Sequence, residues 1–384
     1  MQDREVLAWI RGQAGILEDR LIAWSNINSG STNPIGLDRM AERIAADYPM
    51  ERRSSGLHFQ QHHQADFGVM LCGHMDTVFA PDHPFQIAKK AGPDEINGPG
   101  VADMKGGLLI MLTALSAVMQ TPYRNALNWE VTINTDEEVG SSGSMPWMLE
   151  RAKSNDIALV FEPALSPSGD MVNSRKGSGK FAIIAQGRAA HAGRDFTAGR
   201  NAIVGLAEVI QSIDQLNGQR DGVTLNIGQI SGGTALNIVP DSATAHIDIR
   251  TYQPEDEDWL QEKLTAVIAS HQHHGDIQFE LQGHFGRPPK RVSPKSQILF
   301  DTLTECAGEL NIPIEWRPSG GCCDGNNLAA AGLAVIDSLG ARGNYIHTEK
   351  EYILVSSLVE RAQLTALLLM RLAKDATLRQ ALRK

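Results

Sequence analysis

Apolar residues in the first stretch of the chain (Val6, Ile10, Ile16, Leu21, Ile22 and Trp24) recur at roughly helical spacing and predict one amphipathic helix. The run Ser29-Gly30-Ser31-Thr32-Asn33-Pro34 breaks it, and residues 37–48 carry the pattern of a second helix. Residues 67–72 are a short apolar run that opens into Gly73-His74-Met75-Asp76, the pattern of a buried strand delivering polar groups from its C-terminal end. A helix over 106–119 and strands over 127–134 and 157–161 follow, so strands alternate with helices as in an α/β layer with a mainly parallel sheet.

The pattern changes near Lys176. Residues 180–186, 223–230 and 242–250 read as strands, and 201–216 and 256–271 as helices, which predicts an inserted α+β domain. The Arg287-Pro288-Pro289 segment marks the return to the first domain, where a strand over 334–339 and a helix over 355–374 resume the α/β pattern. The predicted architecture is a discontinuous α/β catalytic domain (1–175 and 288–384) interrupted by a smaller α+β domain (176–287).

Composition narrows the classes. The 384 residues include 35 Lys plus Arg against 45 Asp plus Glu, a net charge of −10 that argues against a general nucleic-acid binder. The longest apolar run, 108–119, is too short to span a bilayer as a helix, so no membrane partner is expected. The charged, helix-patterned start does not read as an export signal, and four cysteines in so long a chain form no disulfide framework. The expected compartment is the cytoplasm.

Candidate chemistry gathers where predicted strands end. His74-Met75-Asp76 pairs a histidine with a carboxylate, a combination in which one group ligates metal and the other orients it. Asp103 stands in the glycine-rich Gly98–Gly107 turn, as an N-cap or as a ligand. Thr135-Asp136-Glu137-Glu138 places three acids together, as a solvated turn or as a cluster compensated by a cation. Phe161-Glu162-Pro163 ends another strand, and His347 sits on a late loop. Mixed histidine and carboxylate ligation suits zinc, and a carboxylate shared by two ions suits a co-catalytic pair.

The segments GHMDTVF, GPGVADMKGG, NTDEEVGSSGS, FEP, RAAHAG, TALNIVPDSATAHIDIR and IHTEKEY, in this order, resemble the zinc-dependent aminoacylase and carboxypeptidase family. That family includes glutamate carboxypeptidase, acetylornithine deacetylase and succinyl-diaminopimelate desuccinylase, and the resemblance is strongest to the glutamate carboxypeptidase branch. It implies a zinc-peptidase catalytic domain with a smaller lid and dimerisation domain, a homodimer, and two Zn2+ per subunit, with Co2+ or Mn2+ as alternatives. His74 and Glu162 would complete one metal site, Glu138 and His347 the other, and Asp103 would bridge both. Asp76 would orient His74, Glu137 would be the general base, and His191 would polarise the scissile carbonyl from the partner subunit. Asn237, Arg250, Arg287 and the Gly321 loop would meet the substrate carboxylate, although Arg250 at a strand end also reads as a surface or interface cation.

Cys322 and Cys323 replace the small or hydroxyl residues of the carboxypeptidase relatives and read as inert pocket lining rather than a third metal site. His62, His63, His271, His273 and His274 read as exposed turns or helix ends. The implied reaction is hydrolysis of the amide bond of a peptidyl or N-acyl amino acid with a free carboxylate. The alternatives are an N-acyl amino acid deacylase of the acetylornithine or succinyl-diaminopimelate type, or a non-catalytic ligand-binding relative.

Overall fold

The computed structural model describes residues 1–61, 64–272 and 276–384. His62, His63, His273 and His274 lie outside the described residues, while His271 closes a helix with Nδ1 2.8 Å from the Val267 carbonyl. The chain forms two compact units. The larger comprises Met1–Ser174, Arg291–Ser319 and Cys323–Lys384; the smaller comprises Arg175–Lys290 and Gly320–Cys322.

The larger unit is built on a sheet whose described strands run in the order Glu51–Arg53, Gly56–Gln61, Asn128–Asn134, Gly68–His74, Ile157–Val160, Ala334–Ile336. The last four pair in parallel, and the first two add an antiparallel edge, so the sheet is mixed rather than uniformly parallel. Every residue of Gly68–His74 is buried, which explains its unbroken apolar run. Successive side chains of a strand point to opposite faces. Accordingly Val69, Leu71, Ile157 and Leu159 join the main core, whereas Met70, Cys72, Ala158 and Val160 pack with Met148, Leu328 and Val335 on the other side.

One helix of the main core is apolar around its whole circumference. Gly106–Val118 buries every residue except Ser116, as expected of a helix enclosed on all sides. Residues Val101–Val118 are long and apolar enough to cross a membrane, yet 94% of them are buried within the protein. Each fully buried Leu or Ile here contributes about 1.5–3 kcal/mol. At the N-terminus the single predicted helix is two, Asp3–Arg11 and Ala14–Ser25. The break falls at Gly12-Gln13, where glycine, a weak helix former, follows the last residue of the first helix. Ile16, assigned to the apolar stripe in the sequence, is exposed.

The smaller unit is a four-stranded antiparallel sheet in the order Thr224–Gly232, Ser242–Thr251, Gly177–Gln186, Gln278–Arg287. Phe181, Ile183, Ala185, Ile247 and Ile249 pack against Leu206 and Val209 of helix Ala202–Asp214 and Leu260 and Leu264 of helix Glu255–His271. Lys180 and Gln186, at alternate positions, are exposed, as in a sheet with one covered face. Strand Gln278–Arg287 has no counterpart in the sequence reading. Gly283 and Gly286 interrupt its pattern, and Arg287, read there as the start of the return segment, is its last residue.

Candidate metal centre

Three neighbouring parallel strands end along one edge of the larger sheet. The pairings His74↔Asn134 and Cys72↔Val160 align their C-terminal ends. Beyond those ends stand His74, the Glu137-Glu138 loop and Glu162, the position where open α/β sheets collect ligands. Asp103 reaches the same place from the irregular segment before helix Gly106–Val118. Gly100 there has φ +70°, and a Cβ on it would lie 2.6 Å from Thr77 Cγ2, so the turn needs glycine. The Asp103–Met104 peptide is cis. Asp103 does not cap the helix: its two oxygens face two histidines.

Asp103 Oδ1 lies 3.1 Å from His74 Nε2, and Oδ2 lies 3.2 Å from His347 Nε2. Glu162 Oε1 is 3.8 Å from His74 Nε2, and Glu138 Oε2 is 3.2 Å from His347 Nε2. Two donor sets result, His74–Asp103–Glu162 and Asp103–Glu138–His347, and in each the ligand atoms lie within 4.8 Å of one another. Asp103 is common to both. His347 is held in the left-handed region at φ +63°, unusual for a non-glycine residue.

Electrostatics show what this cluster needs. Burial pushes Asp103 up, but its bonds to His347 and His74 outweigh that and leave it well below its ordinary value. Hydrogen bonds to Asp103 and Glu138 push His347 up to about 10. Burial and the charge of Asp103 raise Glu138, whose Oε1 is buried without a hydrogen-bond partner. Three carboxylates around two imidazoles leave an excess of negative charge that cations would offset. All-nitrogen-and-oxygen donor sets, an orphaned buried carboxylate oxygen and a shared carboxylate fit a pair of divalent ions.

Asp76 does more than the orientation foreseen for it. His74 Nδ1 lies 3.0 Å from the Asp76 carbonyl and 3.3 Å from its Oδ1. The same carboxylate accepts the N–H groups of Glu137 (3.1 Å) and Glu138 (3.2 Å) and the Ser31 hydroxyl (2.7 Å). One buried group thus fixes a histidine and the loop carrying both acids. Glu137 is buried on that loop and belongs to neither donor set. Asp136, the first acid of the triplet, accepts the Gly143 N–H at 2.8 Å and braces the loop instead of facing the cluster. Asp324 accepts Asn134 Nδ2 at 2.6 Å and the Ser141 hydroxyl, so it supports the same strand end and loop. The sequence reading gave Ser31, Asp324 and Glu351 no role, since an isolated serine or acid carries no spacing signal.

The remaining candidates belong to the smaller unit and form two groups within it. His191 is exposed, and its Nδ1 accepts the Gly193 N–H at 3.1 Å. Its short strand pairs with Ile238–Val239, and the neighbouring Ala192 N–H donates to the Asn237 carbonyl at 2.9 Å. In the second group Arg250 and Arg287 converge on one thiol: their Nη1 atoms lie 3.6 and 3.9 Å from Cys322 Sγ. Arg287 is buried, and Arg175 Nη1 holds the Gly321 carbonyl at 3.3 Å. Arg250 also pairs with Asp248, through Nε at 2.8 Å and Nη2 at 3.2 Å, which leaves Nη1 directed to Cys322.

Similarity to known proteins agrees with this geometry. The profile of Peptidase family M20/M25/M40 matches residues 70–371. The chain is 30% identical over 309 residues to carboxypeptidase G2 of Pseudomonas sp. (strain RS-16), a match covering 79% of this chain and 74% of that protein. It is 28% identical over 309 residues to the succinyl-diaminopimelate desuccinylase of Hahella chejuensis (strain KCTC 2396), over 76% and 78% of the two. In fold alone it is similar to aminopeptidase PepT from Bacillus cereus ATCC 10987, with a TM-score of 0.77, 21% identity, and coverage of 94% of this chain and 99% of that one. The chain belongs to peptidase family M20/M25/M40 and is a metal-dependent hydrolase.

Proposed function

We propose that the protein is a co-catalytic two-zinc amidohydrolase that releases an amino acid with a free carboxylate from a peptidyl or N-acyl substrate, in the manner of a glutamate carboxypeptidase. The observation that carries this reading is Asp103, whose two oxygens face two different donor sets. His74 and Glu162 would hold one ion with it, and Glu138 and His347 the other. Bound divalent ions supply Lewis acidity to the carbonyl and to the attacking water.

The rest of the reaction is assigned to side chains of this protein. Glu137 sits beside the ligand Glu138 and outside both donor sets, so its carboxylate is assigned the proton of the attacking water and its return to the leaving nitrogen. His191 is assigned the developing oxyanion. Because Nδ1 accepts the Gly193 N–H, the proton of a neutral ring resides on Nε2, which is then the donor. Arg250, Arg287 and the Gly321-Cys322 loop are assigned the substrate carboxylate, and Asn237, held beside His191, the substrate near the scissile bond.

The proposed working form is a homodimer joined through the smaller unit. Strand Thr224–Gly232 is an edge strand of its sheet, and Ile203, Val204, Ile230 and Leu236 are exposed apolar residues of that unit, features that a second copy would cover.

A deacylase for acetylated or succinylated substrates is the second reading, supported by the Hahella relative, which matches a similar share of this chain. Side-by-side hydrolysis of glutamate-terminated peptides, N-acetylornithine and N-succinyl-diaminopimelate separates the two. Preference for the first substrate supports the carboxypeptidase reading; preference for either of the others replaces it with the deacylase reading.

A further inference from the structure

Glu351 lies four residues beyond His347 and belongs to neither donor set. It is fully buried. Its Oε1 accepts the N–H groups of Ala102 (2.8 Å) and Asp103 (3.0 Å), and its Oε2 accepts that of Gly100 (3.1 Å). Its main-chain carbonyl accepts the Gly98 N–H at 3.2 Å and Asn97 Nδ2 at 2.8 Å. Five donors from one short segment therefore end on one residue.

The backbone is non-helical at Asp103 and Met104, and while Val101 and Lys105 donate to carbonyls of the same turn, the N–H groups of Gly100, Ala102 and Asp103 find their acceptor in Glu351; a buried N–H without an acceptor is costly. A buried carboxylate is an expensive acceptor unless several donors meet it. Here three meet it, one of them the N–H of Asp103 itself. Glu351 also continues directly from the loop that carries His347. Asp103 and His347, which face each other across the second donor set, are thus both tied to one residue: Asp103 through its N–H bond to the Glu351 carboxylate, His347 through the four-residue stretch of chain that leads to Glu351.

We propose that Glu351 is a positioning residue of the metal centre: it clamps the turn bearing Asp103 to the segment bearing His347 and so sets the separation of these two ligands. The proposal rests on the two-ion reading above. Residues that orient metal ligands in this way typically change metal affinity 10–100-fold when replaced.

The test uses the full chain as wild type, Glu351→Ala and Glu351→Gln. Each is stripped of metal, checked for folding by circular dichroism, and titrated with Zn2+ against a chromophoric chelator. Wild type should take up two ions; if it does not, the two-ion reading fails before Glu351 is at issue. Glu351→Ala, folded, should bind zinc about 10–100-fold more weakly. Glu351→Gln should fall between, because its amide oxygen can still accept from Ala102 and Asp103 while its NH2 group opposes the Gly100 N–H. A folded Glu351→Ala chain that binds both ions with wild-type affinity overturns the proposal, whatever its melting temperature. Should the alanine variant not fold, wild-type zinc affinity in Glu351→Gln overturns it equally.

Discussion

Glu137 and Glu138 are identical residues adjacent in the chain, and their surroundings give them different work. The Asp76 carboxylate holds both backbone N–H groups, which fixes Glu138 on the second donor set and leaves Glu137 outside it. Glu137→Gln preserves size but cannot accept a proton, so turnover should fall roughly 10²–10⁴-fold with metal content unchanged; loss of zinc from this variant would instead make Glu137 a ligand. Cys322 offers a second probe, because the other three cysteines are buried and it alone is partly accessible. Beside Arg250 and Arg287 it should react faster with an anionic than with a cationic methanethiosulfonate, and N-acetylglutamate should protect it. Equal rates and no protection, read by mass spectrometry, would remove the carboxylate subsite from this loop. The gathering of His74, Asp103, Glu138, Glu162 and His347 was legible because they stand after strands, in the glycine-rich turn and on the late loop, within segments that resemble a known family. The closure of Arg250 on Asp248 was not legible, because neighbouring positions in a strand pattern do not say which side chains fold back on each other.

Strands and helices are where hydrophobic patterning spoke most clearly. The run through Cys72 was readable as a buried strand and residues 106–119 as a helix, and in both, enclosure on all sides removes the need for polar positions. What patterning could not supply was the close approach of that helix to the end of strand Ile157–Val160. A Cβ on Gly107 would lie 2.0 Å from the Phe161 carbonyl, next to the candidate donor Glu162. Gly107→Ala should therefore cost about 1–3 kcal/mol through overpacking and lower the melting temperature. Gly15, in helix Ala14–Ser25, has open space around the equivalent position. Gly15→Ala should raise the melting temperature by improving helix propensity, by up to about 1 kcal/mol. A calorimetric scan of both variants checks the pair, and equal shifts would contradict the packing argument. The helix break at Gly12 and the strand Gln278–Arg287 escaped the pattern for the same reason: glycine weakens the local signal while tertiary pairing decides the element.

For the whole molecule, the proposed reaction draws its candidate metal donors from the larger unit and His191 from the smaller. If His191 serves the partner's centre, Asp103→Ala and His191→Ala chains should each be nearly inactive. Mixed with demonstrated subunit exchange, they should recover roughly a quarter of wild-type activity, since half the dimers are mixed and each holds one complete site. No recovery would confine His191 to its own chain or remove it from the reaction. The change of texture near Lys176 was visible in the sequence because a one-sided antiparallel sheet alternates where the enclosed parallel strands do not. The partnership of particular residues across the chain was not visible, since it depends on tertiary placement. The claim on which the rest depends is the shared carboxylate, and elemental analysis of the wild-type and Asp103→Ala proteins after equilibration with zinc tests it most directly. The account predicts two ions per wild-type chain and the weakening or loss of both together in the variant; one ion per wild-type chain, or a variant that retains either ion at wild-type affinity, would contradict it.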